Sequence, residues 1–466
     1  MEAAAQVLTS SPDRTIRFSA SPEELAATGK ALRERVPRAS HGEWKLRVSR
    51  SEPLDILRAA DADRLPHLVP IRYGRMLVSP FTFFRGSAGI MAADLAQTPK
   101  TGVVVQACGD CHLKNFGGFA TPERAIVFDI NDFDETLPAP WEWDVKRLAA
   151  SFILAARSNG LSDRSARKSA VVSARAYRTA MRNFSQMSPL ELWYQRFGTN
   201  EFFANIPDPR IKQSIEQRIK KASAKGGSDS AYPKLAQVIA GEIHIRDNPP
   251  LIYHPEETRD PEFRSKAEEI LKNYHDTLAD DRRILLDHYR FVDAVIKVVG
   301  VGSVGTRCWI ALLMSASNSP LFLQLKQATA SVLEPYAGKS AYSHSGQRVV
   351  MGQRLMQAAS DMFLGWTTTP GGDFYVRQLR DAKVSPLVET FDAVMLTLYA
   401  NLCGQNLARA HAKTGNAWTI SGYLGKSDEF DEAIGDFAEA YADQAEADHA
   451  VLQTAVRSGK VAAYTE

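Results

Sequence analysis

The chain has 466 residues, of which 44% are apolar and 24% charged, and a formal charge of +2 at pH 7. Such a length supplies a sizeable core and two or three domains, and so balanced a charge leaves no global field to recruit nucleic acid or an anionic membrane. Four cysteines, Cys108, Cys111, Cys308 and Cys403, make no disulfide framework in so long a chain. The N-terminus has no basic start followed by an apolar run, and no stretch is long enough to span a bilayer, so a cytoplasmic protein without membrane or nucleic-acid partners is expected.

Residues 1–66 are polar and broken, and read as an N-terminal extension without chemistry, packing on a later domain. In "TGVVVQACGD" the valines predict a short buried strand that feeds the loop "ACGDCHLKNFG". "RAIVFDINDFDETLP" predicts a second strand ending in acids, and "WEWDVKRLAASFILAARSNG" a helix with a glycine stop. From Ser162 to Leu285 a mostly helical region is expected, with loops at "KGGSDS" and "RDNPPLIYHP"; its basic run "RIKQSIEQRIKKASAK" reads as a solvated helix face. From Phe291 the pattern is strand, glycine-rich turn, strand, polar turn, strand, with a further strand at "FYVRQLRDAK". The chain then turns helical through "NLCGQNLARAHAKTGN" and ends in an acidic helix whose Phe430, Ile434, Phe437 and Tyr441 share one face, as core-facing residues do.

The loop after the first strand carries two incompatible spacings. Cys108, Cys111 and His112 spell C-x-x-C-H, as for covalent haem, whereas Asp110, His112 and Asn115 spell D-x-H-x-x-N, as for phosphoryl transfer. A carboxylate between the sulfurs raises the thiol pKa, the opposite of what a redox or metal-binding thiol pair needs. Asp and Asn are hard oxygen ligands suited to Mg²⁺. Asp110 is therefore the candidate base, with Asn115 and Asp132 as metal ligands; Asp129 is the runner-up to Asp132, and Asp134 competes for the same role. Gly300, Gly302 and Gly305 form G-x-G-x-x-G, but "TRCWIALL" continues as a strand instead of a helix, so a dinucleotide-binding turn is disfavoured. A glycine hairpin between strands, with Ser303 inside it and Lys326 on the next strand, matches the phosphate-covering loop and phosphate-gripping lysine of protein kinases. A plain hairpin turn and a strand-edge lysine are the alternatives.

Together, "RMLVSPFTFFRGSA", "GDCHLKNFG", "NDFDET", "GVGSVGTR" and "YVRQLRDAK" resemble the bacterial domain-of-unknown-function family 2252, grouped with kinase-like phosphotransferases. The resemblance covers nearly all of the chain after Arg72. The catalytic blocks are also similar to those of aminoglycoside and choline phosphotransferases, with Cys108 where their loop begins with histidine and Asp144 in the place of their structural aspartate. The order of the blocks differs, since Asp110 precedes Gly300; a circular permutation cut between the "NLARAHA" helix and the catalytic strand restores it. The resemblance thus implies an α+β, protein-kinase-like two-lobed fold, circularly permuted. Its small antiparallel β lobe is expected at residues 289–385 and its large, mainly helical lobe at 67–160, 161–288 and 386–466. It also implies a carboxylate partner for Lys326, for which Glu334 is the candidate and Gln353 or Gln357 the neutral stand-ins.

The expected activity is phosphorylation of a hydroxyl on an unidentified acceptor, using ATP and Mg²⁺. Asp110 and His112 are the catalytic residues of that reading, and the helices of 162–285 its acceptor wall. AMP transfer from the same site and a non-catalytic nucleotide-binding module are the alternatives. The acceptor, the oligomeric state and the pathway are not readable from the sequence.

Overall fold

Ser21 closes a capping box with Glu24 ahead of helix α1 (Pro22–Arg35), the arrangement that satisfies the first free amides of a helix. In the computed structural model, which describes residues 20–464 apart from 48, most of 199–227, 240 and 380–382, this helix packs on the C-terminal helices. The first 19 residues of the expected extension and most of the basic run lie outside the described residues. Helices α2 (Pro53–Ala59), α3 (Val69–Leu77), α4 (Pro80–Gly86) and α5 (Ala88–Leu95) follow. Proline near each start of the first three supplies a fixed φ where no amide donor is needed.

Strands β1 (Val104–Ala107), β2 (Phe116–Ala120), β3 (Ile126–Ile130) and β4 (Leu137–Pro140) come next. β1 pairs antiparallel with β4, and β2 with β3, so the loops after β1 and β3 emerge side by side. Helix α6 (Trp141–Ser158) is buried from Trp141 to Ala156, charged residues included. Helix α7 (Asp163–Phe184), capped by Ser162, lies against it.

The next stretch departs from the helical expectation. Short strands β5 (Phe197–Gly198), β6 (Ala236–Ile239), β7 (Glu242–Ile245) and β8 (Ile252–Tyr253) precede helix α8 (Phe263–His275). The β-branched alternation of "QVIAGEIHI" specifies the β6–β7 pairing, and Gly241 has a φ of +86° beside it. The large antiparallel sheet then forms from β9 (Tyr289–Lys297), β10 (Cys308–Ser315) and β11 (Pro320–Gln327). After helix α9 (Ser345–Met356) it is completed by β12 (Gly365–Thr369) and β13 (Gly372–Gln378). Its order is β12-β13-β11-β10-β9-β8, while β14 (Lys383–Val384) joins β2, β3 and β5 in a four-stranded sheet.

Both faces of the large sheet are covered, as strict alternation requires. Ala311 and Leu313 pack under Tyr274, Leu278 and Leu286, while Ile310, Leu312, Met314 and Phe322 pack under Ala231, Leu235 and Ile245. The body around this sheet therefore begins well before residue 289, because 231–286 supplies its covers rather than extending the helical lobe.

Helices α10 (Ala393–Thr414), α11 (Ala417–Leu424) and α12 (Glu429–Arg457) close the chain. The four aromatic and aliphatic residues expected on one face of the last helix are all core residues. The end of α10 reaches β1, where the Gln106 amide donates to Thr414 Oγ1 at 3.2 Å. The result is a mixed α+β protein, about half helical, with several antiparallel sheets. Among the described residues, no helix is long and apolar enough to cross a membrane.

Candidate functional site

The loop after β1 is shaped by backbone before side chains enter. Gly109 has a φ of +84°, and a Cβ there would lie 2.4 Å from the Glu135 carbonyl oxygen, so only glycine lets this loop meet the loop after β3. Asp144 on α6 accepts from the Cys108 and Gly109 amides at 2.6 and 3.0 Å. His411 on α10 bonds Asp144 at 3.2 Å through Nε2, and Tyr177 bonds the other ring nitrogen at 2.9 Å. Because a carboxylate only accepts, the proton of this bond is on Nε2. A histidine 267 positions away in the chain thereby fixes the loop that holds Asp110.

Asp110 Oδ1 is gripped by Arg147, whose Nε lies at 2.7 Å and whose Nη2 is closer still. Its Oδ2 is 3.6 Å from His112 Nε2 and accepts no hydrogen bond among the described residues. Burial raises the Asp110 pKa, opposed by Arg147 and Arg85. His112 is held neutral, well below its ordinary range, by burial and by the Arg85 and Arg147 charges. The Asn115 amide donates to the Asp110 carbonyl at 2.8 Å, leaving its Oδ1 for another partner.

Asp129 in β3 and Asp132 and Asp134 in the loop after it sit in three different environments. Asp129 is fully buried and accepts from Arg409 at 2.7 and 2.8 Å, from the Ala358 amide at 2.8 Å and from the Ile130 amide at 2.9 Å. It is a core ion pair away from the cavity, so the structure removes it from the metal candidates. Asp132 faces the cavity, with Oδ1 accepting from the Asp134 amide at 3.2 Å; burial and the Asp134 charge raise its pKa. Asp134 accepts from Tyr375 at 2.8 Å and is ion-paired with Lys326, while Ser303 Oγ lies 3.5 Å away. Burial works to raise the Asp134 pKa, but Lys326 and Tyr375 outweigh it and hold the group below the usual carboxylate range.

Lys326 thus has a carboxylate partner, and it is not the expected one. Glu334 begins a one-turn helix, Glu334–Ala337, and accepts from the Ser331 amide at 3.3 Å; among the described residues it forms no ion pair with Lys326. Neither glutamine stands in. Gln353 bonds Gln357 at 2.9 Å, and Gln357 donates to the Ile130 carbonyl at 2.6 Å. On α9 it is Arg348 that reaches the acid loop, donating to the carbonyls of Thr136, Asp134 and Thr329 at 2.7 to 2.8 Å. Strand parity explains why Lys326 points this way: it shares a face with Gln324 and sits opposite Tyr375 in register.

The glycine-rich turn between β9 and β10 closes the site from above. Gly300 and Gly305 take positive φ, and a Cβ on Gly302 would lie 3.1 Å from the Arg85 carbonyl. Arg64 and Arg75 donate to the Val304 and Gly300 carbonyls, the latter at 2.7 Å, and the Leu65 amide donates to Gly305 at 2.8 Å. A cavity of about 360 Å³ lies between turn and loops, within the range of small-ligand sites. Asp110, His112, Asn115, Asp132, Asp134 and the turn residues Gly300, Gly302 and Ser303 line it. Lys326 reaches its edge through Asp134.

Sequence reasoning missed one wall. Residues between Ile56 and Ile90, including Arg64, Arg72 and Arg85, line the cavity, whereas none of 162–285 does among the described residues. The end of the extension assigned no chemistry, Ile56 to Arg64, and the start of the expected large-lobe segment, Arg72 to Ile90, together supply the side expected of the helical region. The signal available was "FFRGSA", a tight polar break after an aromatic run, with nothing local to say what it faces.

The residues present fit Mg²⁺ but not thiol chemistry. Asn115 Oδ1 and Asp132 Oδ2 make no hydrogen bond among the described residues, and Mg²⁺ is held by one or two carboxylates together with phosphate oxygens and water. No three His, Cys, Asp or Glu side chains gather as a cage among the described residues, so a cation here would complete its shell from a bound phosphate. All four cysteines are buried and free. The Cys108 thiol is raised well above its ordinary range by its hydrogen bond with Cys111 and by burial, and burial pushes Cys111 up to about 11. Both stay protonated at neutral pH, against a haem or redox role for the C-x-x-C-H spacing.

No curated protein and no solved structure matches the chain. Residues 64–455 match the family described as an uncharacterized protein conserved in bacteria, DUF2252. That span takes in every cavity-lining side chain from Arg64 to Tyr336, and over it the chain belongs to this bacterial family.

Proposed function

We propose that the chain is an ATP- and Mg²⁺-dependent phosphotransferase of circularly permuted kinase-like fold, acting on a hydroxyl acceptor. The observation that carries this reading is convergence. Asp110, Asn115, Asp132, Asp134 and the Gly300 to Gly305 turn come from three separate segments and line one cavity, with Lys326 joined to it by an ion pair. Phosphoryl transfer asks mainly for positioning and charge neutralisation, and that is what this donor set offers. Permutation is supported by the Gln106–Thr414 contact, which brings the two ends of the inferred cut together. The antiparallel run β12-β13-β11-β10-β9, with α9 inserted after β11, also agrees with a kinase small lobe.

In this reading Lys326 and the turn amides hold the phosphates, and Asn115 and Asp132 hold Mg²⁺, which would neutralise charge on the transferring group. Asp110 presents Oδ2 to the acceptor hydroxyl, since Arg147 already occupies Oδ1. The acceptor oxygen bonds the γ-phosphorus as the bond to the ADP oxygen breaks, and Asp110 takes the hydroxyl proton. Arg147 fixes the carboxylate and keeps it from turning away. Lys326 would share its charge between Asp134 and the phosphates.

The test is nucleotide product analysis on the purified chain with ATP, Mg²⁺ and a panel of hydroxyl compounds. ADP release is expected, lowered by about 10²- to 10⁴-fold in Asp110→Asn, the range for loss of a positioned base. Unchanged turnover in that variant overturns the assignment. Pyrophosphate in place of ADP assigns AMP transfer instead.

A further inference from the structure

We infer that the hydroxyl acceptor carries an anionic group, a phosphate monoester or a carboxylate, which binds Arg85 in the cavity that Asp110 also lines. This rests on the phosphotransferase reading and names the substrate class of that site. Three arginines line the cavity, and two are engaged. Arg72 is ion-paired with Asp61 at 2.6 Å and donates to the Gly86 carbonyl at 2.9 Å. Arg64 donates to the Ala60 carbonyl at 3.0 Å and also bonds the Val304 carbonyl. The Arg85 guanidinium makes no hydrogen bond or ion pair among the described residues, and its buried Nε has no partner. Its recorded contact is the Phe81 ring, 5.9 Å from the guanidinium carbon.

The carboxylates nearest in effect are Asp110 and Glu389, and their charges oppose the lowering of the Arg85 pKa by burial. Each already has a cation, Arg147 for Asp110 and Lys114, at 2.7 Å, for Glu389. A partly buried guanidinium whose Nε is shut off from water and left without an anion is unfavourable, and arginine's planar fork matches phosphate and carboxylate oxygens. Position selects the acceptor over the nucleotide. Asp132 and Asp134 feel Lys326 and Arg377, whereas Arg85 acts on Asp110 and His112. Geometry agrees: Arg85 directly follows Phe84, whose carbonyl accepts at 2.9 Å from the Arg147 that grips Asp110, whereas Lys326 is held at Asp134.

The experiment loads the full chain with Mg²⁺ and a non-hydrolysable ATP analogue, then titrates inorganic phosphate and, separately, acetate by calorimetry. Wild type, Arg85→Gln and Arg85→Lys are compared, each checked by circular dichroism and thermal melting. Saturable binding of at least one anion to wild type is expected, weakened tenfold or more in Arg85→Gln and partly restored in Arg85→Lys. The ion that saturates identifies the ester or the carboxylate. Melting of Arg85→Gln should be unchanged or raised, because the variant removes an unpaired charge; a lowered melt with unaltered anion binding marks a structural arginine and overturns the inference. Equal affinity in wild type and Arg85→Gln, or no saturable anion binding, also overturns it. Failure of the analogue to bind refutes the nucleotide reading instead, and the same wild-type-to-variant ratio in the free chain then decides the anion site.

Discussion

Lys326, joined to the cavity through Asp134, and Lys146, on α6, are both withdrawn from water, at 3% and 0% exposed, yet their pKa values move in opposite directions. Burial lowers the Lys326 pKa, but Asp132 and Asp134 outweigh it, and the ammonium is held well above its ordinary value. Lys146 is pushed down to about 7 by burial, with only Glu142 opposing. Its Nζ has no hydrogen-bond partner and lies 4.5 Å from the Phe437 ring centre, and Glu142 is turned to the Thr101 amide at 2.7 Å. Burial alone therefore does not fix the direction of a lysine's pKa; the carboxylates placed around it do.

The strongest way to break this comparison is to delete each ammonium. Lys326→Met takes away the cation paired with Asp134 and leaves Asp132 and Asp134 with the charge of Arg377 alone, and should cost about 3–5 kcal/mol in urea unfolding, the range for stranding one partner of a buried pair. Lys146→Met should have the opposite sign, stabilising by roughly 1–3 kcal/mol, as apolar replacements of poorly paired buried charges do. A loss in both variants would mean that the two lysines are equivalent after all.

Titration sharpens the contrast further. The folded Lys146 pKa of about 7 lies below its ordinary 10.5. Between those values the unfolded chain holds a proton that the folded chain does not, so stability rises with pH across that window. Lys146→Met should flatten the rise in melts taken from pH 7 to 10. The smallest effect belongs to Glu135, pushed up by burial from 4.5 to about 7 despite Arg348. Here the folded chain holds the extra proton, so stability falls as pH rises from about 4.5 to about 7, and Glu135→Gln should remove that fall.

Much of the site was legible because its signals are local. The five-residue spacing of Asp110 and Asn115, the glycine turn between strands and the parity that aims Lys326 all follow from a few adjacent residues. What the sequence hid was long-range. The partner of Lys326 depends on which loop meets the end of β11, and Asp134 arrives from 192 positions away, whereas Glu334 was favoured by nearness in the chain. The same holds for Asp129, which differs from Asp132 only in being met by Arg409 in the core. Arg85 was overlooked for a related reason: an unpaired cation is defined by what fails to surround it, and that has no sequence pattern. The hairpin at 236–245 was missed through its helical surroundings, although its alternation was present.

The brace from His411 to Asp144 also has a meaning in time. Because the two residues are 267 positions apart, a ribosome adding about 5–20 residues per second completes the brace roughly 15–50 s after Asp144 has been made. For that interval the nascent chain carries its Asp110 loop without the histidine that secures it. Every incomplete chain that stops short of α10 is thereby an unarmed one, and the order of synthesis itself keeps fragments from holding a finished site.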